Sequence, residues 1–571
     1  MKAVRRIFVS VLIVIGGIVL CLCRPWESGM KGASAALEVF YNVKKADAVN
    51  SSAINVRKDG EVLAISTRQR PYMTQSMTLT VPVDTVPLLF HGTVEVQGRV
   101  TLRFCANGHE VTASLDQSGY EVDGQYYEGK EPLIRYHNRL YVSAKMLAEA
   151  FGGTFSWDSD SNTVTLVSGS TPDNLMTPLP VSYDMRVQGR LTPVQDQGNL
   201  GTCWAFAALG ALESSLMPAH PWVFSADHMS FMSGYNMSQQ DGGDFNMALA
   251  YLTAWKGPVL EEDDPYGDGY SPDFLEAKVH LQEAVNLPQK DYEAIKTAIL
   301  RWGGVQSSFY SDMEFATSNS SYYNAKNASY YYPGKNIANH DIVIVGWDDE
   351  YPRENFNVYP DQDGAFLCRN SWGSQFGDGG YFYISYEDTN IAMTNLVYSR
   401  VDSTDNYDQI YQSDLLGWLG TMGYGEPGAW FSNVYTASGD EALAAAAFYT
   451  TGRENYYDIF VVRDFTDSQS FDTMEYVKSG YIENSGYYTV DFPVEIPLEA
   501  GSRFAVVVHL TTKDSLRPVA IEYETGEWTN SVDISDGEGY LSYDGRTWEN
   551  IESTYQSNAC LKAFTNRRES E

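Results

Sequence analysis

The sequence predicts a multidomain α+β chain: a small α+β domain over residues 52–168, a larger α+β domain over 179–400 and a β-sandwich over 405–566. Three observations carry this. The 571 residues allow about three domains of 100–200 residues each. A Ser/Gly/Thr/Pro/Asp/Asn stretch at 169–178 reads as a linker. Beyond residue 405 the pattern changes to short strands separated by Gly, Asp and Asn turns, which argues a β-sandwich.

The N-terminus carries Lys2, Arg5 and Arg6 before an apolar run from Ile7 to Cys23. That pattern fits an export signal and is slightly short of the about 20 residues a membrane-spanning helix needs. Residues 1–35 are therefore expected to be a signal peptide, with Ala33-Ser34-Ala35 as a cleavage site, or an uncleaved membrane anchor. Both place the bulk of the chain outside the cell. Cys21 is not expected to be lipidated, because Val19-Leu20 supplies no small residue before it. Residues 24–50 read as a polar linker.

In the first domain, Arg139-Leu140-Tyr141-Val142 reads as a strand. Ser143 caps a helix over Ala144–Phe151 whose Met146, Leu147, Ala150 and Phe151 share one face, and Gly152-Gly153 stop it. Thr154–Trp157 and Thr163–Leu166 alternate as two further strands. In the last domain, Ala442–Tyr449, Tyr457–Val462, Tyr487–Phe492, Phe504–Leu510, Val519–Tyr523 and Cys560–Phe564 read as strands.

Charge and cysteine usage narrow the function. With 39 basic against 74 acidic residues and a net charge of −35, the chain repels nucleic acid and anionic lipid surfaces. Outside the export segment stand only Cys105, Cys203, Cys368 and Cys560, too few and too scattered for a disulfide scaffold. There is no C-x-x-C pair and the histidines do not cluster, so no zinc or iron–sulfur site and no cofactor is expected.

The middle domain holds the chemistry. Gln197-Gly198-Asn199-Leu200-Gly201-Thr202-Cys203-Trp204-Ala205-Phe206 runs into an alanine-rich apolar helix reaching Leu216, which puts Cys203 at a helix N-terminus. Unpaired N–H groups and the helix dipole there favour an anion, so a lowered thiol pKa is expected. Asn339-His340-Asp341 opens a β-branched strand to Gly346-Trp347. Leu367-Cys368-Arg369-Asn370-Ser371-Trp372-Gly373 is a strand ending in a polar, aromatic and glycine turn. Each alone has a bland reading, as a buried cysteine, a satisfied core histidine and a strand end. In order, however, His340 lies 137 residues after Cys203 and Asn370 a further 30, a spacing that marks one group of thiol proteases.

Residues 179–400 thus resemble the papain-like cysteine proteases. The resemblance implies a helical half facing a twisted β half. It also implies a Cys203–His340 ion pair, Asn370 orienting the imidazole, and peptide-bond hydrolysis through a thioester acyl-enzyme. It further implies an oxyanion hole from Gln197 and the Cys203 N–H, Trp372 shielding the His–Asn hydrogen bond, and Glu213 as a buried structural acid. Gly242-Gly243 would offer bare backbone to an extended substrate, and Gly379-Gly380-Tyr381 matches the turn after the Asn motif. Residues beside the glycine pair and the histidine would line the main specificity pocket. Here they are Asp244, Phe245, Ala338 and Asp341, and the two acids suggest a basic P2 side chain, unless Asp341 faces solvent. Leu200 stands where most members carry a cysteine, no helical inhibitory propeptide precedes residue 179, and Asp348–Gly364 is an acidic surface insert.

The first domain resembles the module named after the copper amine oxidase N-terminus, through "YVSAKMLAEAFGG", Trp157-Asp158 and Val164-Thr165-Leu166, and has no metal-ligand set. It implies a spacer or stalk. The last domain resembles the lectin-like β domain that follows some bacterial papain-like peptidases, which would allow contact with cell-wall glycan. The reading is an exported cysteine endopeptidase with protein or peptide substrates. Two alternatives stay open: an adhesin using the peptidase fold as a scaffold, and an amidase or transpeptidase acting on wall peptides.

Overall fold

The computed structural model describes residues 54–568, apart from 60, 64–70, 75–77, 98–100, 116, 130, 137–138, 159–162, 168–178, 314–318, 527 and 530–531. The expected signal or anchor, the linker at 24–50 and the linker at 169–178 lie outside the described residues. The fold is mixed, with a papain-like α+β domain between an N-terminal α+β domain and a β-rich C-terminal domain.

The helical half of the middle domain is built on Cys203–Leu216, Ala226–Met232 and Phe245–Thr253. The first of these is buried nearly all round, from Trp204 to Ser214. That is why its sequence shows almost no polar face. Facing it is a sheet running Tyr381–Ser385, Ala365–Arg369, His340–Asp348, Val305–Phe309, Asn395–Asp402 and His280–Asn286. Its strands His340–Asp348, Ala365–Arg369 and Tyr381–Ser385 are mostly apolar because both of their faces are covered.

That sheet does not stop at the domain boundary. His280–Asn286 also pairs with Gly486–Leu498, and the sheet continues through Glu441–Thr450 and Leu561–Arg567. Gly486 sits where a Cβ would meet the Ala284 carbonyl oxygen at 2.2 Å, so only glycine permits this seam. The strand Glu441–Thr450 is buried at every position, which explains an alanine-rich strand: small side chains fit between two covered faces.

The second sheet of the β-sandwich, through Gly428–Thr436, Arg503–Thr512, Asn455–Val462 and Glu475–Ile482, continues into Thr93–Gln97 and the hairpins of the first domain. Lys478 pairs in register with Glu95, and their side chains form an ion pair at 3.0 Å. His91 stacks on Tyr481 with ring centroids 4.4 Å apart. The first domain therefore docks on the β-sandwich by strand addition. Within it, Ser143 caps Ala144–Ala150 by accepting from the Met146 N–H, with Ala148 rather than Ala150 buried on the inner face.

The insert 348–364 is anchored through Tyr351 and Phe356, which pack with Ala365. Among the described residues, no helix is long and apolar enough to cross a membrane, and no group of three or more His, Cys, Asp or Glu could hold a metal ion.

Candidate active site

Cys203 is the first residue of its helix, and Thr202 before it makes no side-chain cap. The Ala205 N–H donates to the Thr202 carbonyl at 3.0 Å, which leaves the Cys203 and Trp204 N–H groups for another acceptor. The helix packs against His340–Asp348, and the backbone N–H groups of Asp341, Trp204 and Cys203 itself stand near enough to the partly exposed Cys203 thiol to favour its anion. The sequence reading expected a lowered thiol pKa, and the structure reverses this. Burial pushes the thiol up to about 12, the Asp341 carboxylate adding to it, while the three N–H groups pull the other way. A helix end carries only about half a charge, and loss of water around the thiolate outweighs it.

His340 is buried, and burial pulls its imidazole down to about 4, with the Asn370 hydrogen bond opposing. Its Nε2 lies 2.8 Å from Asn370 Oδ1. The same Oδ1 accepts from the Ser371 N–H at 2.8 Å. Since an N–H can only donate, the amide oxygen must face the ring. Nε2 therefore carries the proton and Nδ1 is the free base. Asn370 is fixed in turn by its own N–H, which donates to the Gly380 carbonyl at 3.0 Å. Gly380 sits at φ +97°, where a Cβ would strike Val194. Trp372 lies over His340 with ring centroids 4.9 Å apart, and Phe309 meets the ring edge-on at 5.6 Å.

The loop before Cys203 is tied to the same segment. The Gln197 N–H donates to the Ser371 carbonyl at 2.8 Å, and the Ser371 hydroxyl donates to Gln197 Oε1 at 2.6 Å. The Gln197 Nε2 therefore faces the loop as donor, giving one N–H to the Leu200 carbonyl at 2.7 Å and keeping a second. Sequence reasoning missed Ser371 and Tyr266. Ser371 sits inside the quoted motif, but nothing there showed its hydroxyl reaching Gln197. The Tyr266 hydroxyl donates to the Gln197 carbonyl at 2.9 Å and lies 2.6 Å from Thr202 Oγ1. No local pattern announced it.

Gly242 and Gly243 lie on the same side as the Cys203 loop. The Gly201 N–H donates to the Gln239 carbonyl at 2.8 Å, and a Cβ on Gly201 would come within 2.9 Å of the Gly242 nitrogen. Gly242, at φ +86°, has open space where a Cβ would be, whereas a Cβ on Gly243 would strike the Trp204 indole. Asp244 caps its helix through the Asn246 and Met247 N–H groups. Asp341 does not face solvent freely: it accepts from Ser308 Oγ at 2.6 Å and Gln306 Nε2 at 3.3 Å. Burial, with the Asp244 charge adding, raises its carboxyl to about 6. Beneath the site Glu213 is wholly buried, accepting from the Thr192 hydroxyl and, at 2.9 Å, from the Phe224 N–H, with Arg369 at 3.6 Å.

Residues 179–401 match the family model described as papain family cysteine protease. The middle domain belongs to that family. The chain is a cysteine-type peptidase. Residues 59–166 match the copper amine oxidase N-terminal domain and 410–565 the lectin-like domain. Among curated relatives, mouse (Mus musculus) pro-cathepsin H is 29% identical over 294 residues, covering 48% of this chain and 82% of that protein. Mouse procathepsin L is 30% identical over 226 residues, covering 38% of this chain and 63% of that protein. Among solved structures, the protease and lectin-like domains of Cwp84, a surface layer associated protein of Clostridium difficile, align with a TM-score of 0.60 and 26% identity. That alignment covers 68% of this chain and 89% of the other. Clostridial Cwp84 after propeptide cleavage aligns with a TM-score of 0.61 at 27% identity, covering 68% and 99%.

Proposed function

We propose that the protein is an exported cysteine endopeptidase in which Cys203, His340 and Asn370 act as a triad. The observation that carries this is the shared Asn370 oxygen, which fixes the Nε2-protonated imidazole and leaves Nδ1 as base. Burial favours a neutral resting pair, so the thiol proton moves to His340 Nδ1 as sulfur attacks the peptide carbonyl. The imidazolium then protonates the leaving amine, and water hydrolyses the thioester. The spare Gln197 N–H and the Cys203 N–H receive the developing oxyanion, a contribution worth about 10²–10³ in rate per donor. Trp372 keeps water from the His340–Asn370 hydrogen bond.

Gly242 and Gly243 would pair with an extended substrate. Asp341, whose carboxyl the nearby Asp244 helps to raise, would together with Asp244 favour Lys or Arg at P2. The basic, apolar-cored N-terminus and the surface-layer description of Cwp84 support export to the cell exterior, free or anchored by residues 1–35. Glycan contact through the lectin-like domain would fit the same setting.

The test treats the purified chain, and a Cys203→Ala copy, with an epoxide active-site label and an unstructured protein substrate. Labelling and cleavage in the intact chain and neither in the variant are expected. Cleavage by Cys203→Ala would overturn the assignment.

A further inference from the structure

The substrate cleft borders the lectin-like domain. The peptidase segment 233–243, which leads into Gly242-Gly243, is held from across the domain boundary at two points. The Tyr235 hydroxyl donates to the Leu416 carbonyl at 2.8 Å, and the Asn236 N–H donates to the Trp528 carbonyl at 2.9 Å. The Leu416 N–H is itself fixed to Glu522 Oε1 at 2.6 Å. Next to Trp528, the Thr529 side chain is buried and its Oγ1 accepts from the Thr525 N–H at 2.8 Å. Yet the Trp528 side chain is 59% exposed, the only tryptophan so exposed among the described residues. An exposed indole whose backbone carbonyl is tied to the peptidase segment offers an aromatic contact surface beside that segment.

Its position follows from the chain. Asn236 is three residues from Gln239, so at most about 11 Å away. Gln239 carries the carbonyl bonded to Gly201, and Gly201 abuts Gly242. An extended substrate advances about 3.3 Å per residue. Asn236 stands six residues before Gly242, so a chain that pairs with the glycines and continues past Gln239 comes within reach of Asn236 and Trp528 a few residues further on. We propose that Trp528 forms an outer subsite, contributed by the lectin-like domain, for an aromatic or other large apolar residue three to five positions from the scissile bond on the acyl side. This rests on the reading of Gly242-Gly243 as the substrate-pairing backbone.

The experiment compares the full chain, Trp528→Ala and Tyr543→Ala, an equally exposed aromatic of the same domain. Substrates are pentapeptide aminocoumarins with Phe or Ala at the third, fourth or fifth acyl-side position, and a dipeptide aminocoumarin. Aromatic pairing predicts that Phe at one position raises kcat/KM about 5–10-fold in the full chain and Tyr543→Ala. The preference should fall to near unity in Trp528→Ala, with dipeptide cleavage equal in all three. A Phe preference that survives Trp528→Ala, or none in the full chain with the dipeptide still cleaved, would overturn the subsite and leave the triad standing. If no peptide is cleaved, titration onto Cys203→Ala with and without Trp528→Ala decides. Phe-dependent affinity lost with Trp528 keeps the subsite while the triad reading fails, and affinity indifferent to Trp528 overturns the subsite too. Trp528-dependent fluorescence quenching by oligosaccharides of N-acetylated hexosamines, and not by peptide, would also overturn it.

Discussion

Tyr266→Phe removes one oxygen and tests whether the loop carrying Gln197 is positioned from behind. The Tyr266 hydroxyl makes two hydrogen bonds, at 2.9 Å to the Gln197 carbonyl and 2.6 Å to Thr202 Oγ1. It has one proton, which goes to the carbonyl, so Thr202 must donate to it. Burial raises the phenol to about 12, so the hydroxyl is intact at any working pH. At about 1 kcal/mol per hydrogen bond the variant should lose about 1–2 kcal/mol of stability. The catalytic effect is separate. Deleting an oxyanion donor costs about 10²–10³; loosening one by a fraction of an ångström should cost less, about tenfold in kcat with KM little changed. The assay is kcat and KM on a short peptide substrate for wild type, Tyr266→Phe, Gln197→Ala and the double variant. If Tyr266 acts through Gln197, the tenfold loss disappears in the Gln197→Ala background. A loss of the same size in both backgrounds would refute the reasoning, as would an unchanged kcat with a clear drop in unfolding midpoint.

Three further predictions follow from buried ionisable groups. In Cys203→Ala, with His340 labelled for NMR, the imidazole should titrate near 4, and lower still when Asn370→Ala removes the hydrogen bond that raises it. A value at or above 6.5 would show that burial does not govern the ring. Because the folded pKa lies below the unfolded one, the stability His340 contributes is present above about 6.5 and is lost as pH falls from there towards 4. Asp341 has the opposite sign: its carboxyl is raised to about 6, so its contribution is present below 3.8 and lost as pH rises through 6. Asp341→Asn should therefore stabilise the chain by about 1–3 kcal/mol at pH 7, give no gain at pH 3.5 in denaturant titrations, and weaken any Lys or Arg preference at P2. Glu213→Ala leaves Arg369 buried without its carboxylate and should cost about 3–5 kcal/mol; a loss under 1 kcal/mol by urea unfolding would mean the site has relaxed around the change.

The sequence by itself determined the pieces that depend on local order. Cys203 at a helix start follows from glycines before an apolar alanine-rich run. The His340 and Asn370 strands follow from β-branched and apolar runs, and the Ser143-capped helix from its cap and glycine stop. These signals are short-range, so a linear pattern records them. The tertiary structure decided what depends on distance. Burial outweighed the helix terminus at Cys203, because desolvation is set by atoms from other segments. Asp341 turned to Ser308 and Gln306 instead of solvent, a choice made by the neighbouring strand. Tyr266 and Ser371 reached Gln197 from far along the chain. The three domains, separate when read as composition, share two sheets through Ala284–Tyr487 and Ser479–Val94 pairing. Strand pairing uses backbone groups that every residue carries, so side-chain pattern marks where a strand is and not which strand lies beside it.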